Sequence, residues 1–278
     1  MIFVSKNADA SANNLGKISI KSIDDVSQET YDVIAAYGNK SFTDDQIIAI
    51  DDFLIGLRKH PAYSHITAFV VPILSQETKP GSSDSDTKFT NTNVSYDLIS
   101  KKSLPVDGYD GYVDKHGLIC WKTVGNPARI YFNQEKEDIT LNRKVLTVGK
   151  CLISMAGEYG FGGFVYENGV QFGAVDNVTS ATFDKVISDD SEPVFTVGSR
   201  NDTECIGIRN GVKSTNVKFV EEPYNGDTSQ ERFFITSRYD NGKKFPISLA
   251  FLCNGYSMSE EELMQMNDIC YPLLKALW

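Results

Sequence analysis

The chain has 278 residues, of which 41% are apolar, 11% aromatic and 23% charged, a composition rich enough in core-forming side chains to exclude intrinsic disorder and collagen-like repeats. Lys and Arg total 27 against 37 Asp and Glu, for a net charge of −10, and the cations occur only in short pairs such as Lys101-Lys102 and Lys243-Lys244. With no basic face to neutralise phosphates, nucleic acid is not an expected partner.

The five cysteines, Cys120, Cys151, Cys205, Cys253 and Cys270, are odd in number, scattered and without a C-x-x-C pair. Most lie in apolar runs, where a thiol acts as a small buried hydrophobe, and the expectation is reduced, structural cysteines in a chain folded in a reducing cytoplasm. The amino terminus lacks the basic-then-apolar order of a signal peptide. The least charged stretch, 60–76, is broken by Pro61 and Pro72 and falls short of the ~20 apolar residues of a bilayer span, so no membrane insertion is expected.

Residues 1–22 are rich in Ser, Ala and Asn and cannot build a core. They read as a frayed end or as an N-terminal arm that docks on a neighbour, with Ile2, Val4, Ile18 and Ile20 as the docking or oligomer-contact positions. Residues 23–75 switch to helical spacing. Ser27 or Asp24 can cap a helix carrying Val26, Val33, Ile34 and Tyr37 and stopped by Gly38. A second helix starts from the capping box Thr43/Gln46, with Ile47, Ile50, Leu54 and Leu57 on one face and Arg58 and Lys59 at its end. Two such helices are too small to stand alone and must pack on something larger. Residues 76–92, with Pro80-Gly81-Ser82-Ser83, read as a loop or linker.

From residue 93 to 278 the pattern is β. Three Asn-Gly pairs, at 168–169, 210–211 and 241–242, are each flanked by alternating residues, the signature of type I′ hairpin turns. Further strands are expected at 118–124, 128–132, 139–148, 151–156, 179–187, 193–198 and 245–252. Short strands at this density imply a two-sheet antiparallel sandwich or jelly roll. A final helix over 259–277 is announced by the capping box in Ser259-Glu260-Glu261-Glu262, carries Leu263, Met266, Cys270, Leu273, Leu274 and Leu277, and should kink at Pro272.

The order of these pieces resembles virion proteins of tailed phages that carry a concanavalin A-like (LamG-like) jelly roll. The resemblance runs over roughly residues 40–278. It rests on the helical leader from Phe42-Thr43-Asp44-Asp45-Gln46 to Leu57-Arg58, the hairpin Gly163 to Gly169, the segments Pro193 to Arg200 and Phe234 to Arg238, and the final strand Ile247 to Gly255 running into Tyr256-Ser257-Met258-Ser259-Glu260-Glu261-Glu262-Leu263. It implies a head or tail fibre, decoration or adhesin component, made in the bacterial host cytoplasm and carried on the virion. Its expected partners are other virion proteins, further copies of itself and a host-surface glycan.

The fold also hosts glycosidases and polysaccharide lyases, so paired carboxylates matter. Retaining glycosidases need two at ~5–5.5 Å, which one strand supplies as Glu-x-Asp-x-Glu. No such pattern occurs; Glu135-Lys136-Glu137-Asp138 and Glu221-Glu222-Pro223 read as solvated loop charges. His60, His65 and His116 are read as surface or capping residues, and no H-E-x-x-H, G-x-S-x-G or P-loop is present. The remaining candidate is the loop from Pro105 to Tyr112, where Asp107, Tyr109, Asp110 and Tyr112 offer aromatic faces and acceptors to a sugar; the same oxygens could serve Ca2+, and ordinary turns with core tyrosines use the same residues. Trp278 is a packing anchor or a subunit contact. The sequence thus points to a non-enzymatic virion protein without a required cofactor, with a carbohydrate-active enzyme or a plain assembly adaptor as the alternatives.

Overall fold

The computed structural model describes residues 21–77, 92–107, 111–114, 116–120, 129–131, 146–149, 152–155, 163–166, 169–172, 179–184, 192–221, 233–236, 238–240, 243–245 and 247–278. The arm positions Ile2, Val4, Ile18 and Ile20, most of the 76–92 loop, the candidate residues Tyr109 and Asp110, the acidic run 135–138, Glu222-Pro223, Cys151 and the Asn241-Gly242 pair lie outside the described residues.

The chain enters through a 3-10 turn, Ile23–Asp25, whose capping box is closed by Ser22 and Asp25. Helix α1 spans Gln28–Ala36 and α2 spans Asp44–Lys59. The strands are β1 (Ala68–Val70), β2 (Tyr96–Asp97), β3 (Lys102–Ser103), β4 (Val106–Asp107), β5 (Gly111–Asp114), β6 (Gly117–Cys120), β7 (Arg129–Tyr131), β8 (Leu146–Gly149), β9 (Leu152–Met155) and β10 (Gly163–Tyr166). They continue as β11 (Gly169–Phe172), β12 (Thr179–Thr182), β13 (Thr196–Arg200), β14 (Cys205–Arg209), β15 (Val212–Lys213), β16 (Asn216–Lys218), β17 (Phe233–Thr236), β18 (Arg238–Asp240), β19 (Lys243–Phe245) and β20 (Ala250–Asn254). Helix α3, Glu260–Leu277, closes the fold.

Two eight-stranded antiparallel sheets form a sandwich of the jelly-roll class expected from the strand density. The first has the order β15-β14-β13-β8-β20-β1-β2-β3, and the second β16-β12-β11-β10-β9-β17-β7-β4. Between them lies a core that includes Val70, Val113, Ile130, Val170, Phe172, Ala181 and Leu252. A second core fills the other face of the first sheet, where Phe69, Phe195, Val197, Ile208 and Phe251 meet Ile50, Phe53, Leu54 and Leu57 of α2 and Leu263, Met266, Cys270, Leu273 and Leu274 of α3. At roughly 1.5–3 kcal/mol for each large apolar side chain buried, this second layer is a principal support of the fold. β13 is accordingly buried at every position, unlike a strand with one wet face.

Both predicted capping boxes form. Thr43 Oγ1 accepts from the Gln46 N–H at 3.3 Å while Gln46 Oε1 accepts from the Thr43 N–H at 3.1 Å, and Ser259 and Glu262 make the same exchange at 3.3 and 2.8 Å. α1 differs from expectation. Val26 lies ahead of it, and Ser27, although at the cap position, makes no side-chain cap bond because its hydroxyl donates instead to Asp51 at 2.6 Å. Pro272 sits inside α3 without ending it. The predicted turn at 210–211 is present, with φ of 44° and 79° between the paired Arg209 and Val212. The hairpin expected around 168–169 also forms, but Tyr166 pairs with Gly169, so the glycine begins β11, where a Cβ would meet the Ala181 carbonyl oxygen at 2.3 Å.

His116 is buried rather than on the surface, since Trp278 stacks on its ring with centroids 4.1 Å apart; Trp278 is thus a packing anchor within the chain. Cys205, Cys253 and Cys270 are free and buried.

Candidate functional site

Backbone register lines up one row of residues across the whole second sheet. Asp107 pairs with Arg129, Arg129 with Thr236, Thr236 with Leu152, Leu152 with Phe164, Phe164 with Gln171, Gln171 with Ser180, and Ser180 with Lys218. Side chains alternate along a strand. Val170, Phe172 and Ala181 point into the core between the sheets, so Gln171 and Ser180 lie on the outer face, where both are half-buried and Lys218 is exposed. The described α-helices pack on the first sheet, and among the described residues no helix covers this outer face.

The sequence candidates meet this sheet only in part. Asp107 ends the edge strand β4 instead of standing in an open loop, because Val106 pairs with the buried Ile130 and draws the segment into the sheet. Tyr112 also lies in a strand, paired with Ile119 in the β5–β6 hairpin. The loop reading for these two residues is therefore corrected.

A feature that the sequence reading missed is a cleft of about 210 Å³ where α1, α2, Tyr63 and the turn after β2 converge. Val33, Leu54, Leu57 and Leu98 form its floor, and Glu29, Asp32, Arg58, Tyr63, Tyr96 and Lys101 its rim. Glu29 pairs with Arg58 and, at 3.7 Å, with Lys101. The wall is held by Asp97, which is 2% exposed. Its Oδ1 accepts from the N–H groups of Phe69 and Ile99 at 2.8 and 3.1 Å, and its Oδ2 from the Ser100 N–H at 3.0 Å and hydroxyl at 2.6 Å. Tyr37, whose hydroxyl burial pushes far up in pKa, accepts from the Val71 N–H at 2.7 Å and donates to the Tyr96 carbonyl. Burial, with the charges of Asp97, Glu29 and Asp32, raises the Tyr96 phenol above its ordinary value. The only sequence signal for this site is the helical spacing that sets Glu29, Asp32 and Val33 on one face of α1; the turn that completes it comes from a distant segment.

Two other polar clusters support the frame. Asp51, 0% exposed, accepts from the Ser27 N–H and hydroxyl, the Thr30 hydroxyl at 2.6 Å and the Lys21 ammonium. Burial by itself would raise its pKa; these donors outweigh it and hold the carboxyl far below the usual range. Arg200, also 0% exposed, donates Nη2 to the Val220 carbonyl at 2.8 Å and lies 5.3 Å from the centre of the Phe219 ring. Its Nε and Nη1 have no hydrogen-bond partner among the described residues, and burial lowers its pKa.

Among the described residues, no group of three or more His, Cys, Asp or Glu is placed to hold a metal ion, and no described helix is long and apolar enough to cross a membrane. No protein-family model matches the sequence, and the comparison with curated proteins finds no match. Solved structures with some likeness include a Trypanosoma rangeli sialidase in complex with 2,3-difluorosialic acid, at 10% identity and TM-score 0.42, over 80% of this chain and 38% of that one. Another is the binding domain of botulinum neurotoxin serotype D, at 11% identity and TM-score 0.39, over 73% of this chain and 51% of that one. The chain thus spans under two fifths of the sialidase and about half of the toxin domain, and at this similarity neither activity nor ligand carries over.

Proposed function

We propose that this protein is a non-catalytic binding component of a phage virion whose sandwich holds a host-surface glycan. The observation that supports the reading is the unequal covering of the two sheets. The described helices close one outer face, and the other carries the aligned row from Asp107 to Lys218, in which Leu152 and Phe164 are flanked by polar residues and Gln171 and Ser180 are half-buried. Amide, hydroxyl and carboxylate groups on a rigid sheet suit the hydroxyl pattern of a saccharide, because each has donors or acceptors fixed in direction by the strand beneath it.

In this reading Asp107 stands at the edge of the binding face, and Tyr109, Asp110 and Tyr112 are proposed as further sugar contacts; Ca2+ binding by the acidic residues of that stretch is a part of the proposal that a metal titration checks. Attachment to the particle and self-association belong to the arm, through Ile2, Val4, Ile18 and Ile20.

The test is binding of the full chain to host surface polysaccharide and to a glycan array, together with immunolabelling of intact particles. Saturable binding that weakens in the Gln171→Ala/Ser180→Ala variant, with label on the virion, is the expected result. Absence of any glycan binding would overturn the adhesin reading, and release of reducing sugar from the polysaccharide would make the protein an enzyme.

A further inference from the structure

We propose that the cleft between α1, α2 and the turn after β2 binds a single neutral sugar ring. It is a second site, on the side of the sandwich opposite to the row of Gln171 and Ser180. Three properties of the cleft select this class of ligand.

Size is the first. A volume of about 210 Å³ lies below the ~300 Å³ at which sites for drug-sized ligands begin, and matches one pyranose ring rather than an extended chain.

Charge is the second. The rim holds two carboxylates, Glu29 and Asp32, and two cations, Arg58 and Lys101. Glu29 is already engaged by both cations, so a cation finds only the solvent-exposed Asp32, where pairing is worth little, and an anion would have to break an existing ion pair to find a counter-charge. A neutral polyol does not: its hydroxyls can accept from Lys101 while donating to Asp32, whose Oδ1 has the Gln28 amide at 3.0 Å and whose other oxygen remains to accept.

Shape is the third. Tyr63 and Tyr96 flank an apolar floor. A sugar ring presents a C–H face to aromatic and aliphatic carbon and its hydroxyls to the rim, the division of surface that this cleft offers. Tyr37 buttresses Tyr96, meeting its ring edge-on at 5.6 Å and donating to its backbone carbonyl. Asp97 likewise fixes the turn that carries Leu98 and Lys101, so the wall is set before a ligand arrives and little ordering cost falls on binding.

The experiment is titration of the full chain with D-glucose, D-galactose, D-mannose and N-acetyl-D-glucosamine by saturation-transfer NMR and calorimetry, with acetate and lysine methyl ester as charged probes. At least one sugar should bind saturably in the millimolar range while neither charged probe does. Asp32→Ala should weaken it roughly tenfold with unchanged unfolding temperature, Tyr63→Ala, which also removes packing on the core, should weaken it similarly with a lowered unfolding temperature, and Gln171→Ala/Ser180→Ala should leave it intact. Lys101→Ala, at a largely exposed position, serves should either of the first two fail to fold. Saturable binding of a charged probe but of no sugar, binding of none of these probes, or sugar binding abolished by the sheet variant and not by the cleft variants would each overturn the proposal. The last outcome would leave the sheet-face reading standing.

Discussion

His60 Nε2 lies 2.8 Å from the carbonyl oxygen of Glu262, fastening the end of α2 to the first turn of α3 across 202 residues of chain. The other ring nitrogen, Nδ1, accepts from the Ala62 N–H at 3.1 Å, so both nitrogens are used only by the neutral ring. Tyr256 strengthens the same corner, stacking on His65 with centroids 4.0 Å apart and donating to Glu262 Oε1 at 2.7 Å. That bond, with burial, pushes the Tyr256 phenol up to about 12. Burial opposes ionisation of Glu262, yet the donors from Tyr256 and Ser259 outweigh it and keep its carboxyl below the ordinary value.

Burial lowers the His60 pKa, against a smaller opposing effect of Glu262. The unfolded chain therefore takes up the proton first. Stability from this corner is complete above the free histidine pKa of ~6.5 and declines as the pH falls below it. Thermal unfolding measured from pH 7.5 to 5 should show this decline in the wild type, and His60→Asn, which keeps an acceptor near Nδ1 and cannot be protonated, should flatten it.

Asp51 gives the same direction for a carboxyl at lower pH, with donors rather than burial lowering its pKa. Its depressed pKa means that its contribution is present above the ordinary Asp value of ~3.9 and is lost as the pH falls below that. Asp51→Ala leaves the Lys21 ammonium and the Ser27 and Thr30 hydroxyls without their shared acceptor and should cost roughly 3 kcal/mol, read as a shift of the urea midpoint at pH 7.

Gly198 lies at a close approach of the two sheets, since a Cβ there would lie 2.6 Å from Val170 Cγ1. Gly198→Ala should destabilise by about 2 kcal/mol. Val170→Ala should restore part of that loss in the double variant, a coupling that a double-mutant cycle measures directly.

Arg200 has a buried guanidinium with two nitrogens that find no partner among the described residues, an arrangement in which the cost of desolvation can exceed the return from its bonds. Arg200→Met, which keeps the length of the side chain and removes the charge, should unfold at the same temperature as the wild type or higher. Arg200→Ala, which opens a cavity, should unfold lower.

The buried thiols give a simpler expectation. Burial pushes Cys205 up to about 12 and also raises Cys253 and Cys270 well above the ordinary thiol value. None of the three should react with a disulfide reagent at pH 8 in the native protein, and all should react in denaturant; mass spectrometry of the labelled peptides distinguishes them.

Local chemistry made much of this fold legible in the sequence. Thr43/Gln46 and Ser259/Glu262 cap helices because the partners are three residues apart, and Asn210-Gly211 turns a hairpin because both residues tolerate positive φ. The alternation of short apolar strands was enough to specify an antiparallel sandwich. What alternation could not show is which strands have two buried faces. Thr196 to Arg200 looks half-polar as a string, yet every residue in it is buried, because α3 covers one side and the second sheet the other.

The candidate sites divide in the same way. The residue types at Asp107 and Tyr112 suggested a binding loop, but the pairing of Val106 with Ile130 drew Asp107 into a sheet edge, an outcome set by a partner some two dozen residues away. The cleft joins Glu29 and Asp32 of α1 to Arg58 of α2 and to Tyr96 and Lys101 beyond β1, residues whose spacing in sequence carries no common period. By itself, then, the sequence determined the caps, the turns and the class of the fold, because these depend on neighbours within a few residues. Only the tertiary structure decided which sheet is covered, where charge is buried and where a cleft remains, because those depend on the packing of segments that the chain brings together from far apart.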